Sequence, residues 1–343
     1  MSRTALITGV SGQDGAYLAR LLLSKGYRVV GATRPSASSS FARLEYLGIA
    51  REVEPYDCEM LELSNIVRMI ERVKPDEVYN LAAQSFVGAS FQLPIFTMEV
   101  NAHGTVRLLE AMRLAAPGAR FYQASTSEMF GNAPAPQHGS TPFHPRSPYG
   151  VAKMMAHNFA VNYREAYGMF CASGILFNHE SPLRGHEFVT RHITVGLAGV
   201  KHGRRDHLAL GNLDARRDWG FADDYVEGMW RMLQQDTASD FVLATGVATS
   251  VRRFVELAAA HFGFAIAWSG KGVDEIGTDT RSGRVLVRID PRRHRPAEVH
   301  DPVGAPKNAA EKLGWRHTTD VAGLAAMMAA EDDRRVRDGV AAY

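Results

Sequence analysis

The chain has 343 residues, of which 45% are hydrophobic and 22% are charged, and its formal net charge is +2. This composition is typical of a globular protein that is long enough for a full core, and it excludes a disordered or fibrous chain. The small net charge and the scattered basic residues argue against a nucleic-acid-binding protein.

Neither a membrane anchor nor a cross-linked scaffold is indicated. No uncharged apolar stretch reaches about 18 residues, and no charged segment followed by a long apolar run opens the sequence. The two cysteines, Cys58 and Cys171, show neither a metal-binding nor a redox spacing. We therefore expect a cytoplasmic protein with no membrane partner, no disulfide and no metal site.

Strands alternate with helices along the first half of the sequence. A β-rich run at residues 4–8 stops at Gly9, a helical pattern covers residues 17–23, and a second strand follows at residues 27–32. Further strands are predicted at residues 77–82, 120–124 and 171–177, and further helices at residues 105–114 and 149–167. This alternation predicts a Rossmann-type, doubly wound α/β fold with a mostly parallel sheet.

The pattern changes after residue 177, where Gly, Pro, His and Arg become frequent. We therefore assign residues 1–177 to the Rossmann domain and residues 178–343 mainly to a smaller substrate-binding region. Strand-like segments near residues 220–245 and 284–300 are expected to return to the Rossmann domain.

A glycine-rich turn, G-x-x-G-x-x-G at residues 9–15, lies directly between the first strand and the first helix. Glycine lets the backbone approach a diphosphate, and the helix N-terminus offers free N–H groups to the phosphates. The dinucleotide contacts predicted here are Gly9, Ser11, Gly12, Gln13, Asp14 and Gly15.

The end of the second strand distinguishes between the two nicotinamide dinucleotides. It reads Ala32-Thr33-Arg34 and lacks the acid that usually bonds the ribose 2′-hydroxyl of NAD. A cation at this place favours a 2′-phosphate, so the expected cofactor is NADP. Small residues near the end of the strand predicted at residues 77–82 would let the backbone pass close to the same ligand. The further cofactor contacts predicted there are Leu81, Ala82, Ala83, Gln84 and Ser85.

The most informative segment is residues 147–153. Ser147 is a good N-cap, Pro148 suits the first helical position, and Tyr149 and Lys153 are four residues apart on one helix face. The helix dipole and the ammonium favour a phenolate, so the pKa of Tyr149 is expected to fall from about 10 toward neutrality. Tyr149 would then act as a general base.

A second reactive pair follows the strand at residues 120–124. Thr126 and Glu128 come directly after it, and the carboxyl ends of parallel strands carry the active site in such sheets. A hydroxyl and a carboxylate are therefore predicted near the nicotinamide.

Beyond these motifs, the sequence resembles the extended short-chain dehydrogenase/reductases and, within them, the GDP-mannose 4,6-dehydratases over nearly its whole length. Ser127 before Glu128 fits that family, because similar dTDP-glucose dehydratases carry an Asp-Glu pair there and epimerases lack the glutamate. The matching segments are residues 8–15, 79–85, 121–128, 145–149, 175–182 and 210–220.

The resemblance implies conversion of GDP-D-mannose to GDP-4-keto-6-deoxy-D-mannose by internal hydride transfer through bound NADP. Tyr149, helped by Lys153, would take the proton of the sugar 4-hydroxyl; Thr126 would hold that oxygen, and Glu128 would remove H5. Further cofactor contacts implied by the resemblance are Glu59, Met60, Tyr149, Lys153, His179 and Arg184. The implied substrate contacts are Ser85, Asn178, Val189, His192, Leu210, Gly211, Arg217, Arg295 and Glu298. The resemblance also implies a homodimer or a homotetramer.

Other functions remain open from the sequence. A related epimerase or reductase, or a dehydratase of another sugar nucleotide, could use the same tyrosine and lysine. A noncatalytic NADP sensor is disfavoured, because such proteins typically lose one of the two. The sequence departs from the family pattern at His192, where a lysine is usual, and at Arg34-Pro35, where two arginines are usual.

Overall fold

Strands and helices alternate along the computed structural model, which describes residues 2–34, 41–293 and 302–340. Its strands are β1 (Thr4–Thr8), β2 (Arg28–Thr33), β3 (Glu54–Asp57), β4 (Glu77–Asn80), β5 (Arg120–Thr126), β6 (Cys171–Leu176), β7 (Asn178–Glu180), β8 (Leu208–Leu210), β9 (Arg216–Phe221), β10 (Asp240–Leu243), β11 (Ala248–Ser250), β12 (Ile266–Ser269), β13 (Ile276–Asp279) and β14 (Val285–Ile289). Its helices are α1 (Gln13–Ser24), α2 (Ala42–Tyr46), α3 (Leu63–Val73), α4 (Val87–Gln92), α5 (Pro94–Met98), α6 (Gly104–Ala115), α7 (Pro148–Tyr167), α8 (Val189–Lys201), α9 (Ala222–Leu233), α10 (Val251–His261), α11 (Lys307–Lys312) and α12 (Val321–Asp338).

The central sheet has seven strands in the order β10-β6-β5-β4-β1-β2-β3. Every neighbouring pair in it is parallel, which confirms the predicted Rossmann-type fold. β1 has β2 on one side and β4 on the other, so the chain leaves the centre of the sheet in opposite directions. Ligands bind outside the carboxyl ends of the strands at such a switch point.

The sheet is buried on both faces because apolar residues occupy both sides of its strands. In β1, Ala5 and Ile7 pack into the core on the face of α1 and α9, whereas Leu6 faces the core of α3, α6 and α7. Side chains alternate between the faces of a strand, so one short apolar run serves both cores. Fully burying a large apolar side chain contributes about 1.5–3 kcal/mol, and all three of these residues are fully buried.

The C-terminal region contains two smaller sheets, in the orders β11-β9-β7 and β12-β13-β14-β8. They pack with α8, α10 and α12 around a separate core that includes Leu197, Phe254 and Met328. The division of the chain at residue 177 stays a prediction.

The segment at residues 284–300 was expected to join the Rossmann domain, and its described part does not. β14 pairs with β13 and β8 because Leu286 and Val287 are buried in the core of the C-terminal region. Within the segment at residues 220–245, β10 lies at the edge of the seven-stranded sheet beside β6.

Within these three ranges, no helix combines the length and the apolar character that crossing a membrane requires. Among the same residues, no three His, Cys, Asp or Glu side chains come together as a group that could hold a metal ion.

Candidate active site

Two adjoining clefts open at the carboxyl edge of the central sheet. The first, the nucleotide cleft, has a volume of about 370 Å³ and is lined by Thr8, Gly9, Ser11–Gly15, Ala32–Arg34, Cys58–Met60, Leu81–Ser85, Phe96, Val100 and Arg184. The second, the catalytic cleft, has a volume of about 140 Å³ and is lined by Asp14, Leu81, Ala83, Ser85–Val87, Ala124–Glu128, Tyr149, Lys153, Leu176–His179, Arg184 and Phe188. The residues common to both are Asp14, Leu81, Ala83, Ser85 and Arg184.

The glycine-rich turn is shaped by close backbone contacts. A Cβ at Gly9 would lie 2.9 Å from the Cα of Ala82, and the φ of Gly9 is +72°. A Cβ at Gly15 would lie 2.5 Å from the carbonyl oxygen of Gly9. Only glycine therefore lets the turn, α1 and the segment after β4 approach each other, and this leaves the first N–H groups of α1 at the nucleotide cleft.

The segment at residues 81–85 is held from both sides. The hydroxyl of Thr8 accepts the N–H groups of Leu81 and Ala82, both at 3.1 Å. The amide of Asn101 accepts the N–H of Gln84 at 2.8 Å and donates to its carbonyl at 3.0 Å. Asn101 belongs to a π-helical turn, Glu99–His103, a type of turn that often occurs at functional sites.

The N-terminus of α7 brings Tyr149 and Lys153 into the catalytic cleft. Ser147 caps the helix by accepting the N–H of Gly150 at 3.1 Å, as the sequence predicts. The ammonium of Lys153 donates to the carbonyl of Ala124 at 2.9 Å. The side-chain amide of Gln123 donates to the same carbonyl at 3.1 Å.

The predicted fall in the pKa of Tyr149 is wrong. Burial raises the pKa of Tyr149 well above its usual value, and the Glu128 carboxylate raises it further; a hydrogen bond with Thr126 offsets only part of the rise. Lys153 lies 6.0 Å from the centre of the tyrosine ring and gives its hydrogen bond to a backbone carbonyl instead. A sequence pattern on one helix shows neither this burial nor the neighbouring carboxylate.

Thr126 and Glu128 lie where β5 ends and a short 3₁₀ turn begins. The hydroxyl of Thr126 accepts the N–H of Glu128 at 3.3 Å. A Cβ at Gly150 would be 2.8 Å from the carbonyl oxygen of Glu128, so glycine at this position lets α7 approach the turn closely. The hydroxyls of Thr126 and Tyr149, the Glu128 carboxylate and the Lys153 ammonium thus share one cleft.

Lys153 is a buried ammonium, and its removal is expected to stabilise the fold. Burial lowers the pKa of Lys153 from 10.5 to about 8, because the charged form is desolvated. We expect Lys153→Met to raise the free energy of unfolding at pH 7 by about 1–3 kcal/mol, and the gain to shrink as the pH rises from 8 toward 10.5. Urea unfolding at several pH values measures this. The exposed Lys312→Met is the matched control, and a clear loss of stability in Lys153→Met would contradict the expectation.

The loop at residues 181–184 places the Arg184 guanidinium at both clefts. Arginines from three different elements donate hydrogen bonds to this loop. They come from α2, α8 and α12 and donate to the carbonyls of three consecutive residues. The bonds run from Arg191 Nη1 to Pro182 O and Arg184 O (both 2.7 Å), from Arg335 Nη1 to Pro182 O (2.7 Å) and from Arg43 Nε to Leu183 O (2.8 Å).

The two buried arginines among them, Arg191 and Arg335, have acidic partners in α12. The guanidinium of Arg191, which is fully buried, lies 2.9 Å from the carboxylate of Asp332 in α12. Arg184 itself lies 3.0 Å from Glu180, and its guanidinium covers the ring of Phe188. The position of Arg184 therefore depends on a helix that begins more than a hundred residues later in the chain.

The structure brings the predicted catalytic and cofactor residues together in the two clefts, but not all the predicted substrate residues. Asn178 and Ser85 line the catalytic cleft. Those that line neither cleft are Val189, His192, Leu210, Gly211 and Arg217. Arg295 and Glu298 lie outside the described residues, as does Pro35 next to Arg34.

Sequence reasoning missed a buried pair between β5 and α7. The hydroxyl of Ser125 lies 3.0 Å from Nδ1 of His157, which is one turn beyond Lys153 on the same face of α7. Burial lowers the pKa of His157, so the ring is neutral near pH 7. The spacing of four residues from Lys153 could have identified it.

Comparison with known proteins gives this site its context. The family model described as GDP-mannose 4,6 dehydratase matches residues 6–328. The GDP-mannose 4,6-dehydratase of Sinorhizobium fredii (strain HH103) is 51% identical over 339 residues, covering 96% of each chain. GDP-mannose 4,6 dehydratase 2 of Caenorhabditis elegans is 50% identical, covering 96% of this chain and 89% of the relative.

The chain belongs to the GDP-mannose 4,6-dehydratase family. Among solved structures, RMD from Pseudomonas aeruginosa complexed with NADPH aligns with a TM-score of 0.76 at 20% identity, covering 97% of this chain and 100% of that one. The dTDP-glucose 4,6-dehydratase of Bacillus anthracis in complex with NAD gives a TM-score of 0.80 at 17% identity, with 98% of each chain covered. At these identities the likeness shows the fold.

The two departures from the family's usual sequence lie in different surroundings. In this member of the GDP-mannose 4,6-dehydratase family, Nε2 of His192 lies 3.0 Å from the carbonyl of Ala209, and burial lowers the pKa of the ring. The histidine at this position is therefore neutral near pH 7. Arg34 is exposed at the end of β2 and lines the nucleotide cleft.

Proposed function

We propose that the protein converts GDP-D-mannose to GDP-4-keto-6-deoxy-D-mannose and water, using NADP as a cofactor that is regenerated in each cycle. The observation that carries this proposal is the meeting of Thr126, Glu128, Tyr149 and Lys153 in one cleft, which adjoins the cleft lined by the glycine-rich turn. Membership of the family supports the choice of GDP-mannose as substrate.

The nucleotide cleft fits NADP. The crowded glycine turn leaves no room for a Cβ beside the path of a diphosphate, and the first N–H groups of α1 open onto it. Arg34 supplies a cation for the 2′-phosphate at the place where NAD-binding proteins have an acid. When bound, NADP would accept a hydride from the sugar and later return it.

The side chains of the catalytic cleft would handle the protons. Tyr149 would take the proton of the sugar 4-hydroxyl while Thr126 holds that oxygen and Lys153 stabilises the phenolate. The resulting 4-ketone acidifies H5, and Glu128 would remove it. The bond from C6 to its hydroxyl oxygen would then break, and the oxygen would leave as water with the proton that Glu128 took from C5. C6 would receive the hydride, and C5 the proton that Tyr149 took from the 4-hydroxyl. The proposed sites for the rest of the substrate are Ser85, Asn178, Val189, His192, Leu210, Gly211, Arg217, Arg295 and Glu298.

Since the Glu128 carboxylate raises the pKa of Tyr149, neutralising it should lower that pKa. We expect the oxidation of the sugar at C4 to reach half of its maximal rate at a lower pH in Glu128→Gln than in the parent protein. Single-turnover measurements across pH, followed by the absorbance of reduced cofactor, give both values. An unmoved profile, or one shifted to higher pH, would contradict this electrostatic link.

The substrate is tested by incubating the protein with GDP-mannose and catalytic NADP⁺ and following the sugar nucleotide by mass spectrometry. Loss of one water without net change in cofactor redox state is expected. Turnover of UDP- or dTDP-sugars alone would keep the fold and reject GDP-mannose. No turnover of any sugar nucleotide would favour the NADP sensor.

We propose a homodimer or homotetramer in the cytoplasm. Ile95 and Val151 are exposed at 76% and 39% in a groove between α5 and α7, and a second copy would cover them. Both cysteines are buried and unpaired, as in proteins of a reducing compartment.

A charge in that groove should therefore weaken assembly. Ile95→Glu is expected to shift the protein toward the monomer in light scattering, because a carboxylate would be buried at the contact. Val273→Glu, at an exposed valine outside that groove, is the control. Unchanged assembly in Ile95→Glu would show that the interface does not lie at this groove.

A further inference from the structure

Asp14 and His179 form an ion pair where the two clefts meet. Asp14 is the second residue of α1 and lines both clefts, and His179 belongs to β7 and lines the catalytic cleft. Oδ2 of Asp14 lies 2.8 Å from Nε2 of His179, with side chains 23% and 12% exposed. The pair thus ties the glycine-rich turn to the segment that leads to Arg184.

The hydrogen bonds of His179 indicate that it is an imidazolium. Its Nδ1 lies 2.7 Å from the carbonyl of Phe177 and its Nε2 faces the Asp14 carboxylate, so each nitrogen must donate a proton. The ring also stacks on Tyr225 with 4.8 Å between centroids. Burial alone would lower the pKa of His179, but the Asp14 charge and hydrogen bond raise it.

The ionised carboxylate of Asp14, in the first turn of α1, needs a positive counter-charge. Burial opposes its ionisation, yet the charge and hydrogen bond of His179 hold the pKa of Asp14 at about 2. A carboxylate in the first turn of α1 stands where a diphosphate would use the N–H groups of that turn. The same charge also contributes to the raised pKa of Tyr149.

We propose that His179 is a positioning residue that neutralises Asp14, and that the resulting ion pair joins the glycine-rich turn to β7 without repelling the cofactor diphosphate. This inference rests on the proposed use of NADP. Both ring nitrogens are committed to protein acceptors, so His179 acts on the cofactor through Asp14. The main role of the Asp14 carboxylate is to be the counter-ion of His179.

A double-mutant cycle on NADP⁺ binding tests the pair without any sugar substrate. In His179→Gln the dissociation constant should rise on the order of tenfold, because Asp14 is left uncompensated beside the phosphates. Removing both charges in Asp14→Asn/His179→Gln should restore most of the lost affinity. The exposed His261→Gln serves as the matched control and should bind like the parent.

A double variant that binds as weakly as His179→Gln, or more weakly, would overturn the proposal and make His179 a direct ligand or a packing residue. Since NADP⁺ binding needs no GDP-mannose, failure of the sugar assay would reject the proposed substrate while leaving this cycle informative.

The pH dependence of NADP⁺ binding gives a second test that does not require His179→Gln to fold. Groups that face the pair are Gln13 on α1, Tyr149 and Lys153 on α7, Tyr225 on α9 and the neighbouring Arg184. As the pH rises through the pKa of His179, the parent should lose affinity because the imidazolium is lost. Asp14→Asn should lack that component while keeping any contribution of Lys153. Parallel pH profiles for the parent and Asp14→Asn would overturn the proposal.

Discussion

Replacing Glu128 by glutamine is expected to lower the rate of water loss from GDP-mannose by about 10²–10⁴-fold. The amide has nearly the same shape as the carboxylate but cannot accept the proton from C5. The main-chain contacts of this residue, to the Thr126 hydroxyl and to the N-terminus of α7, do not involve its carboxylate and should persist. Mass spectrometry of the sugar nucleotide measures the loss, and exchange of H5 with deuterated water reports the missing proton transfer.

Glu54→Gln is the matched control for this change. Glu54 pairs with Arg28 on the outer strands β2 and β3 and is half exposed, so its neutralisation should leave the rate unaltered. If Glu128→Gln lost water at the parent rate, another group would have to remove H5, and Glu128 would be left with a structural role.

Tyr149→Phe is expected to reduce turnover by about 10²–10⁴-fold as well, but at an earlier step. Without the phenol oxygen, the proton of the sugar 4-hydroxyl has no acceptor, so oxidation at C4 should stop. The aromatic ring remains, and circular dichroism and thermal unfolding should therefore stay close to the parent.

The two variants can be told apart within one turnover. Stopped-flow absorbance should show reduced cofactor in Glu128→Gln, where oxidation precedes the blocked step, and none in Tyr149→Phe. Rapid cofactor reduction in Tyr149→Phe would rule out this tyrosine as the base.

The parts of the site that depend on neighbours in the chain could be predicted from the sequence. The glycine turn between β1 and α1 is local, and its crowding against Ala82 follows from the strand order. Ser147, Tyr149 and Lys153 are fixed relative to one another by helical periodicity, and the N-cap was found at Ser147.

What could not be predicted depends on partners distant in the sequence. β14 has an ordinary strand pattern, and nothing in it specifies β8 rather than the central sheet as its neighbour. The pKa of Tyr149 was expected to fall because Lys153 is visible in the helix pattern. Burial and the proximity of Glu128 raise it instead, and both arise only when β5 meets α7.

The hydrogen bonds from arginines to the loop at residues 181–184 also imply an order of events during protein synthesis. The glycine turn and the catalytic helix leave the ribosome early, whereas Arg335 and Asp332 emerge only with α12. Until that helix docks, the carbonyl of Pro182 lacks one of its two donors and Arg191 lacks its counter-charge. We therefore expect the nascent chain to complete both clefts only after α12 has emerged, because Arg184 lines each of them.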